Sequence, residues 1–228
     1  MTQDPVSGLT ARYDAVAEWY DSQLDPTTPD GRVSMLADLL GDGAGIAVDV
    51  GCGTGIATPA LSENGWDVIG VDLSRQALEI ACRKNRSGQG VMVADAAHLP
   101  IRDDSVDAVV SLTIHTDVDD WAAVVSESAR ILKPGGCFAY VGLHPCFVGP
   151  FSELLDDGRR LLHAGYRDQR RVFAGPGIGD GIRSRVGVRH LSLSGLINPL
   201  LTHGLHLQLV IESRERLHPL VVGLRATA

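Results

Sequence analysis

The stretch that decides the fold is Val-Asp-Val-Gly-Cys-Gly-Thr-Gly at 48–55. It joins a short apolar run, Ile-Ala-Val-Asp-Val at 46–50, to a helix-like segment at 56–64. Such a run suits a strand covered on both faces. The G-x-G-x-G spacing permits a tight turn from strand to helix and lets a ligand approach the backbone closely. The helix behind the loop presents unsatisfied N–H groups toward that ligand. A dinucleotide fingerprint would want its third glycine at 56, where this chain carries Ile56. Two acids flank the loop. Asp49 lies inside the strand before it. Asp72 ends the next strand candidate, where a carboxylate can accept from ribose hydroxyls.

Working outward, strand candidates at 66–72, 90–95, 106–112 and 137–143 alternate with helix candidates at 74–85 and 121–132. Ser74 is placed as an N-cap. This alternation predicts right-handed crossovers and a mostly parallel sheet. Upstream, 10–22 and 32–40 read as amphipathic helices, the first with Thr10 as its N-cap. The rhythm breaks at 144–192, which is rich in glycine and arginine. A helix follows at 192–203, with Pro199 inside it. Strands at 205–213 and 218–227, joined by a turn at 214–217, read as an antiparallel hairpin on the sheet edge.

With these segments in place, the chain resembles the class I S-adenosylmethionine-dependent methyltransferases, in their small-molecule group. VDVGCGTG is similar to the family's first motif and VIGVDLS to its second. VMVADAAHLPIRDDSVDAVVS is similar to the third and fourth, and ARILKPGGCFAYVG to the helix–turn–strand that follows. The resemblance implies a single Rossmann-like α/β domain over 1–228. A seven-stranded, mostly parallel sheet would carry helices on both faces and a closing antiparallel hairpin. Residues 1–40 would form a helical cover, and 144–192 a substrate cap or lid.

The resemblance also implies S-adenosylmethionine as cofactor. Gly51, Cys52, Gly53, Thr54 and Gly55 would form the loop at its methionine part, with Asp49 supporting the loop and the amino group. Asp72 would hold the ribose, with Leu73 against the adenine and Ser74 beside it. Asp95 and Ala96 would meet the adenine edge, while Ser111, Leu112 and Thr113 pass beneath the cofactor. Tyr13 and Tyr20 match aromatics that cover the methionine carboxylate. His115 and His144 lie just beyond two strands, at the carboxyl end of the sheet where ligands bind in open α/β folds. A histidine there can serve as general base, which favours oxygen slightly over nitrogen or carbon as the methylated atom.

Composition sets the outer bounds. The 228 residues are 44% hydrophobic and 21% charged, ordinary usage for a soluble globular chain. Aromatics are 5%, so the core must be aliphatic. Residues 1–150 are net −12 and residues 151–228 net +4. The acidic first part argues against a nucleic-acid partner. The arginines at 159–189 read as a solvated surface or as a wall facing an anionic substrate. Four cysteines without a C-x-x-C pair read as reduced thiols of a cytoplasmic protein. No stretch reaches the length of a membrane span, and MTQDPVSGLT lacks the features of a secretion signal. His115, Asp117, Asp119 and Asp120 read as a helix start rather than a metal site. The competing readings are a binder that keeps the cofactor loop without transfer and an NAD-dependent oxidoreductase. The expected partner is a small-molecule methyl acceptor, with no metal.

Overall fold

The computed structural model describes residues 11–24, 31–84, 90–214 and 217–228. Parallel strands β1 (Ile46–Val50), β2 (Asp67–Asp72), β3 (Val91–Val93), β4 (Val106–Leu112) and β5 (Leu132–Leu143) form most of one sheet. Strands β6 (Ser152–Leu154) and β7 (Arg160–Leu162) pair only with each other. Strands β8 (His206–Glu212) and β9 (Val221–Thr227) close the main sheet. Its order is β3-β2-β1-β4-β5-β9-β8, with β9 antiparallel to both β5 and β8. The seven-stranded mostly parallel sheet and its closing hairpin match the sequence reading. The final strand, however, inserts between β5 and β8, so β8 alone takes the edge.

Register is fixed in β1, where Val48 lies between Ile69 of β2 and Val109 of β4. Alternate residues of the buried strands feed two cores, as a period of two requires. On one face Val48, Val50, Val109, Phe138 and Tyr140 meet Trp121, Val124 and Val125 of α5 (Trp121–Ile131), with Leu196 and Leu200 of α7 (Leu193–Thr202). On the other, Ala47, Ala108, Val110, Ala139 and Val141 meet Leu36, Leu39 and Leu40 of α2 (Gly31–Leu40) and Leu61 of α3 (Thr58–Glu63). A shorter helix, α1 (Ala17–Ser22), packs Ala17 on Ala77 and Ile80 of α4 (Arg75–Lys84).

Caps explain several boundaries. Ser74 Oγ accepts from Ala77 N–H at 3.1 Å, as an N-cap does. Asp120 caps α5 by accepting from Ala123 N–H at 3.1 Å. Ser192 does the same for α7, which continues through Pro199. Where a helix was expected from 10 to 22, a 3-10 turn at Asp14–Val16 precedes α1. Thr10 and part of the 214–217 turn lie outside the described residues. Strand β3 is shorter than 90–95, and β5 starts five residues before 137 because Leu132 already pairs with Val106. The 144–192 region holds the β6–β7 hairpin and a short helix, α6 (Ile182–Val186).

Candidate functional site

Strand order reverses between β1 and β4, and the crevice at the carboxyl ends of those strands is where open α/β sheets take ligands. A cavity of about 630 Å³ lies there. The turn after β1 forms one wall. Gly51 and Cys52 donate their amides to Val71 O at 2.7 and 3.1 Å. Gly51, Gly53 and Gly55 have φ of +76°, +55° and +77°, a region that favours glycine. A Cβ on Gly51 would meet Ile114 at 2.5 Å, whereas one on Gly53 would meet nothing within 4 Å. The backbone at Gly53 is thus open to an incoming ligand.

Asp72 fixes this loop. Its Oδ2 accepts from Gly53 N–H and its Oδ1 from Ser74 N–H, both at 2.8 Å. Burial raises its pKa while these two amides pull it back. Asp49 has no such relief. It is 1% exposed, and its Oδ1 is buried without a partner. Burial, with the charge of Asp72, pushes its pKa up to about 7. Thr54 Oγ1 is likewise buried and unpaired. A cationic amino group fits the orphaned carboxylate, and the donor set suits S-adenosylmethionine. Cys52 is buried, and burial pushes its thiol up, so it is not an activated nucleophile.

Fourteen of the residues named from sequence as cofactor contacts line the cavity. They are Tyr13, Tyr20, Asp49, Gly51, Cys52, Gly53, Thr54, Asp72, Leu73, Ser74, Asp95, Ala96, Leu112 and Thr113. Gly55 and Ser111 do not. Gly55 faces Ala81, and Ser111 Oγ donates to Val50 O at 2.7 Å, tying β4 to β1. Tyr13 and Tyr20 meet edge to face at 5.5 Å. Tyr13 donates its hydroxyl to Asp117 Oδ1 at 3.1 Å, and burial raises its pKa. Asp95 turns the chain locally, its Oδ1 accepting from Ala97 N–H at 3.0 Å.

The two histidines take other places. Thr113 adopts a left-handed conformation, φ +63°, and a 3-10 turn at Ile114–Thr116 follows. Ile114 then faces the cavity, while His115 turns into the core. His115 hydrogen-bonds the Tyr140 hydroxyl through Nδ1 and stands edge-on to Trp121. Burial, with Arg183 and His190 nearby, pushes its pKa down to about 3. The sequence reading placed His115 at the carboxyl end of the sheet as a candidate base; in the structure its ring faces the core and not the cavity. His144 is also buried away from the cavity. Its Nδ1 accepts from Cys146 N–H at 3.1 Å, so Nε2 carries the proton and donates to Glu212 Oε1 at 2.6 Å. That bond ties the end of β5 to β8.

Sequence reasoning named the arginines of 159–189 and the acids Asp117 and Asp119 separately but did not pair them. Arg12, Asp117 and Asp119 line the cavity, and Arg171, Arg183 and Arg189 reach across to these acids from the 144–192 region. Asp14 was missed; it accepts from Ser74 Oγ at 2.6 Å and fixes the leading turn on α4. The arginine run was a visible signal, but its partners lie more than fifty residues away. No group of three or more candidate metal ligands occurs among the described residues. No helix among them is long and apolar enough to cross a membrane.

With that geometry in place, known proteins resemble the chain in part of its sequence and in its fold. Residues 48–140 match the methyltransferase domain family. The fold is that of the class I methyltransferases. An S-adenosylmethionine-dependent methyltransferase structure from Mesorhizobium loti matches with a TM-score of 0.70 at 23% identity, over 94% of this chain and 99% of that one. The chain is 37% identical to the methyltransferase GfsG of Streptomyces halstedii, over 53% of this chain and 47% of that protein. It is 36% identical to a ubiquinone/menaquinone biosynthesis C-methyltransferase of Desulfotalea psychrophila, over 57% of this chain and 55% of that protein. The chain spans about half the length of these curated relatives.

Proposed function

We propose that this chain transfers a methyl group from S-adenosylmethionine to a small-molecule acceptor. The observation that carries the reading is Asp49: a buried carboxylate with an unpaired oxygen, beneath a glycine loop left open at Gly53. Asp49 would pair with the amino group of the methionine part. Asp72 keeps free lone pairs for ribose hydroxyls beside its two amide bonds. Leu73, Asp95 and Ala96 would meet the adenine, and Tyr13 and Tyr20 would cover the methionine end. The region 144–192 would act as the acceptor-side cap, and 1–40 as a helical cover.

When bound, the cofactor supplies an electrophilic methyl. The chain must align an acceptor atom behind that methyl at about 3 Å and exclude water. No base is assigned to His115, because a buried imidazole with a pKa near 3 is a poor proton acceptor. The preference for oxygen loses that support, and one of the relatives is named for carbon methylation. The acceptor atom is thus oxygen, nitrogen or carbon.

The test is a titration with S-adenosylhomocysteine and, separately, with NADH, followed by mass spectrometry of metabolite extracts incubated with methyl-labelled S-adenosylmethionine. Micromolar binding of the homocysteine nucleoside and a labelled small molecule are expected. Binding of NADH alone would overturn the reading. Binding of the nucleoside with no labelled product would favour a binder without transfer.

A further inference from the structure

Residues 11–24 form one wall of the cavity, through Ala11, Arg12, Tyr13, Ala17, Tyr20 and Leu24. Two sets of contacts hold that wall. Toward α4, Ala17 packs on Ala77 and Ile80, Asp14 accepts from Ser74 Oγ at 2.6 Å, and Glu18 and Asp21 pair with Arg83 and Lys84. The second set comes from the 144–192 region, and its centre is α6.

Two arginines of this short helix reach the wall. Arg183 Nη1 donates to Asp117 Oδ1 at 2.6 Å and to the Tyr13 hydroxyl at 3.4 Å, across 170 positions of sequence. Tyr13 donates to the same Asp117 oxygen at 3.1 Å, so one carboxylate joins the two segments. The guanidinium carbon of Arg185 lies 4.3 Å from the centre of the Trp19 ring, a cation–π contact. Arg12 and Arg171 repeat the shared anchoring, since both donate to Asp117 O and to Asp119. Yet among the described residues that line the cavity none belongs to α6, and Trp19 is not one of them.

We infer that α6 is a clip that holds the cofactor-facing wall in place from outside the cavity. Arg183 and Arg185 are then positioning residues for the methyl donor, the first acting through Asp117 and Tyr13, the second through Trp19. The inference deepens the methyl-transfer reading and rests on it for the identity of the ligand. The coupling must run both ways: a ligand that α6 tightens through the wall tightens α6 in turn. The 144–192 region and the donor site thereby act as one unit.

The experiment is hydrogen exchange on the full chain, free and with S-adenosylhomocysteine, alongside affinity by calorimetry. In the wild type the nucleoside should slow exchange at 182–189 as well as at 11–24. Arg185→Gln should speed exchange at 11–24 in the free chain and weaken the nucleoside about two- to fivefold, the worth of one exposed cation–π contact. Arg185→Lys keeps a cation over the ring and should recover most of that loss. Arg183→Gln should cost about tenfold, because its bond to Asp117 is charge-assisted. Trp19→Leu combined with Arg185→Gln should cost no more than Trp19→Leu alone, since the pair makes one contact. An Arg183→Gln, Arg185→Gln double variant that binds the nucleoside within about twofold of the wild type would overturn the proposal. So would a nucleoside that leaves 182–189 unprotected, or faster exchange in the variants spread equally through β1 and β4, which would mark general loosening. Failure of the wild type to bind the nucleoside would sink the methyl-donor reading instead, while exchange at 11–24 in the free chains still reports on the clip.

Discussion

At the scale of single residues, the glycine loop and its acids form one wall of the cavity, and their signals in the sequence are local. Spacing alone marks Gly51, Gly53 and Gly55, and a strand end marks Asp72. His115 was not legible in this way: its direction depends on the left-handed backbone of Thr113, a residue type that gives no warning of it. Asp49 yields a pH prediction. Its carboxyl titrates near 7 in the free protein, so it is largely protonated below that pH. Pairing with a cationic amino group requires the ionised form. Ligand binding should therefore release a proton below pH 7, and S-adenosylhomocysteine affinity should rise with pH up to about 7 and then level. Between pH 5 and 7 the gain should be about tenfold or more, set by the titration of one group. Calorimetry in buffers of different ionisation enthalpy measures the proton, and Asp49→Asn should lose both the proton and the slope. An equal pH dependence in that variant would remove Asp49 from the ligand. Gly53→Val should abolish nucleoside binding, with a loss beyond about a hundredfold. A β-branched residue is strained at φ +55°, and its side chain would stand where the ligand approaches. Unchanged affinity would show that the loop does not face the ligand.

At the scale of elements, periodicity and caps located most strands and helices, because burial on two faces leaves a continuous Val- and Ala-rich signature. The 144–192 region resisted, since its glycines admit two opposite meanings. Read from sequence, AGPGIGDGIRSR looks too glycine-rich for a packed core and suggests a lid. The structure gives two of these glycines a packing role. Gly177 donates its amide to Pro150 O at 3.1 Å, and a Cβ there would overlap the carbonyl oxygens of Gly149 and Ser152. A Cβ on Gly175 would meet Pro150 O at 2.8 Å. By contrast, one on Gly179 would meet nothing within 4 Å. Gly177→Ala should accordingly destabilise the protein by about 1–3 kcal/mol, the usual cost of overpacking against atoms that cannot give way. Gly179→Ala should change stability by less than about 0.5 kcal/mol. Urea unfolding of the two variants decides. Equal effects would mean that the glycines serve chain freedom rather than close approach.

At the scale of the whole molecule, what the sequence did not show is what distant segments do to one another. His144 meets Glu212, and Arg183 meets Asp117; neither pairing leaves a mark within a single window of sequence. The His115–Tyr140 pair is the deepest of these contacts, buried between β5 and α5, and it links packing to acid stability. An imidazole titrates near 6.5 in the unfolded chain and, at His115, near 3 in the folded one. The unfolded state therefore takes up the proton first. The support that neutral His115 gives the fold is complete above about pH 6.5 and is lost as pH falls toward 3, by at most about 1.4 kcal/mol per pH unit. Asp49 acts in the opposite sense, because its folded pKa lies above its unfolded one and ionising it weakens the fold as pH rises toward 7. A single stability curve would mix the two, so the comparison must be between chains that share Asp49. His115→Gln should be less stable than the wild type by about 1–3 kcal/mol at pH 7.5, since it disrupts the bond to a buried tyrosine hydroxyl. That gap should shrink steadily as pH is lowered to 4.5, where the wild type bears the cost of a histidine it cannot protonate in place. Urea unfolding at pH 7.5, 6, 5 and 4.5 measures it. A gap that stays constant across the series would show that His115 is not held neutral in the core.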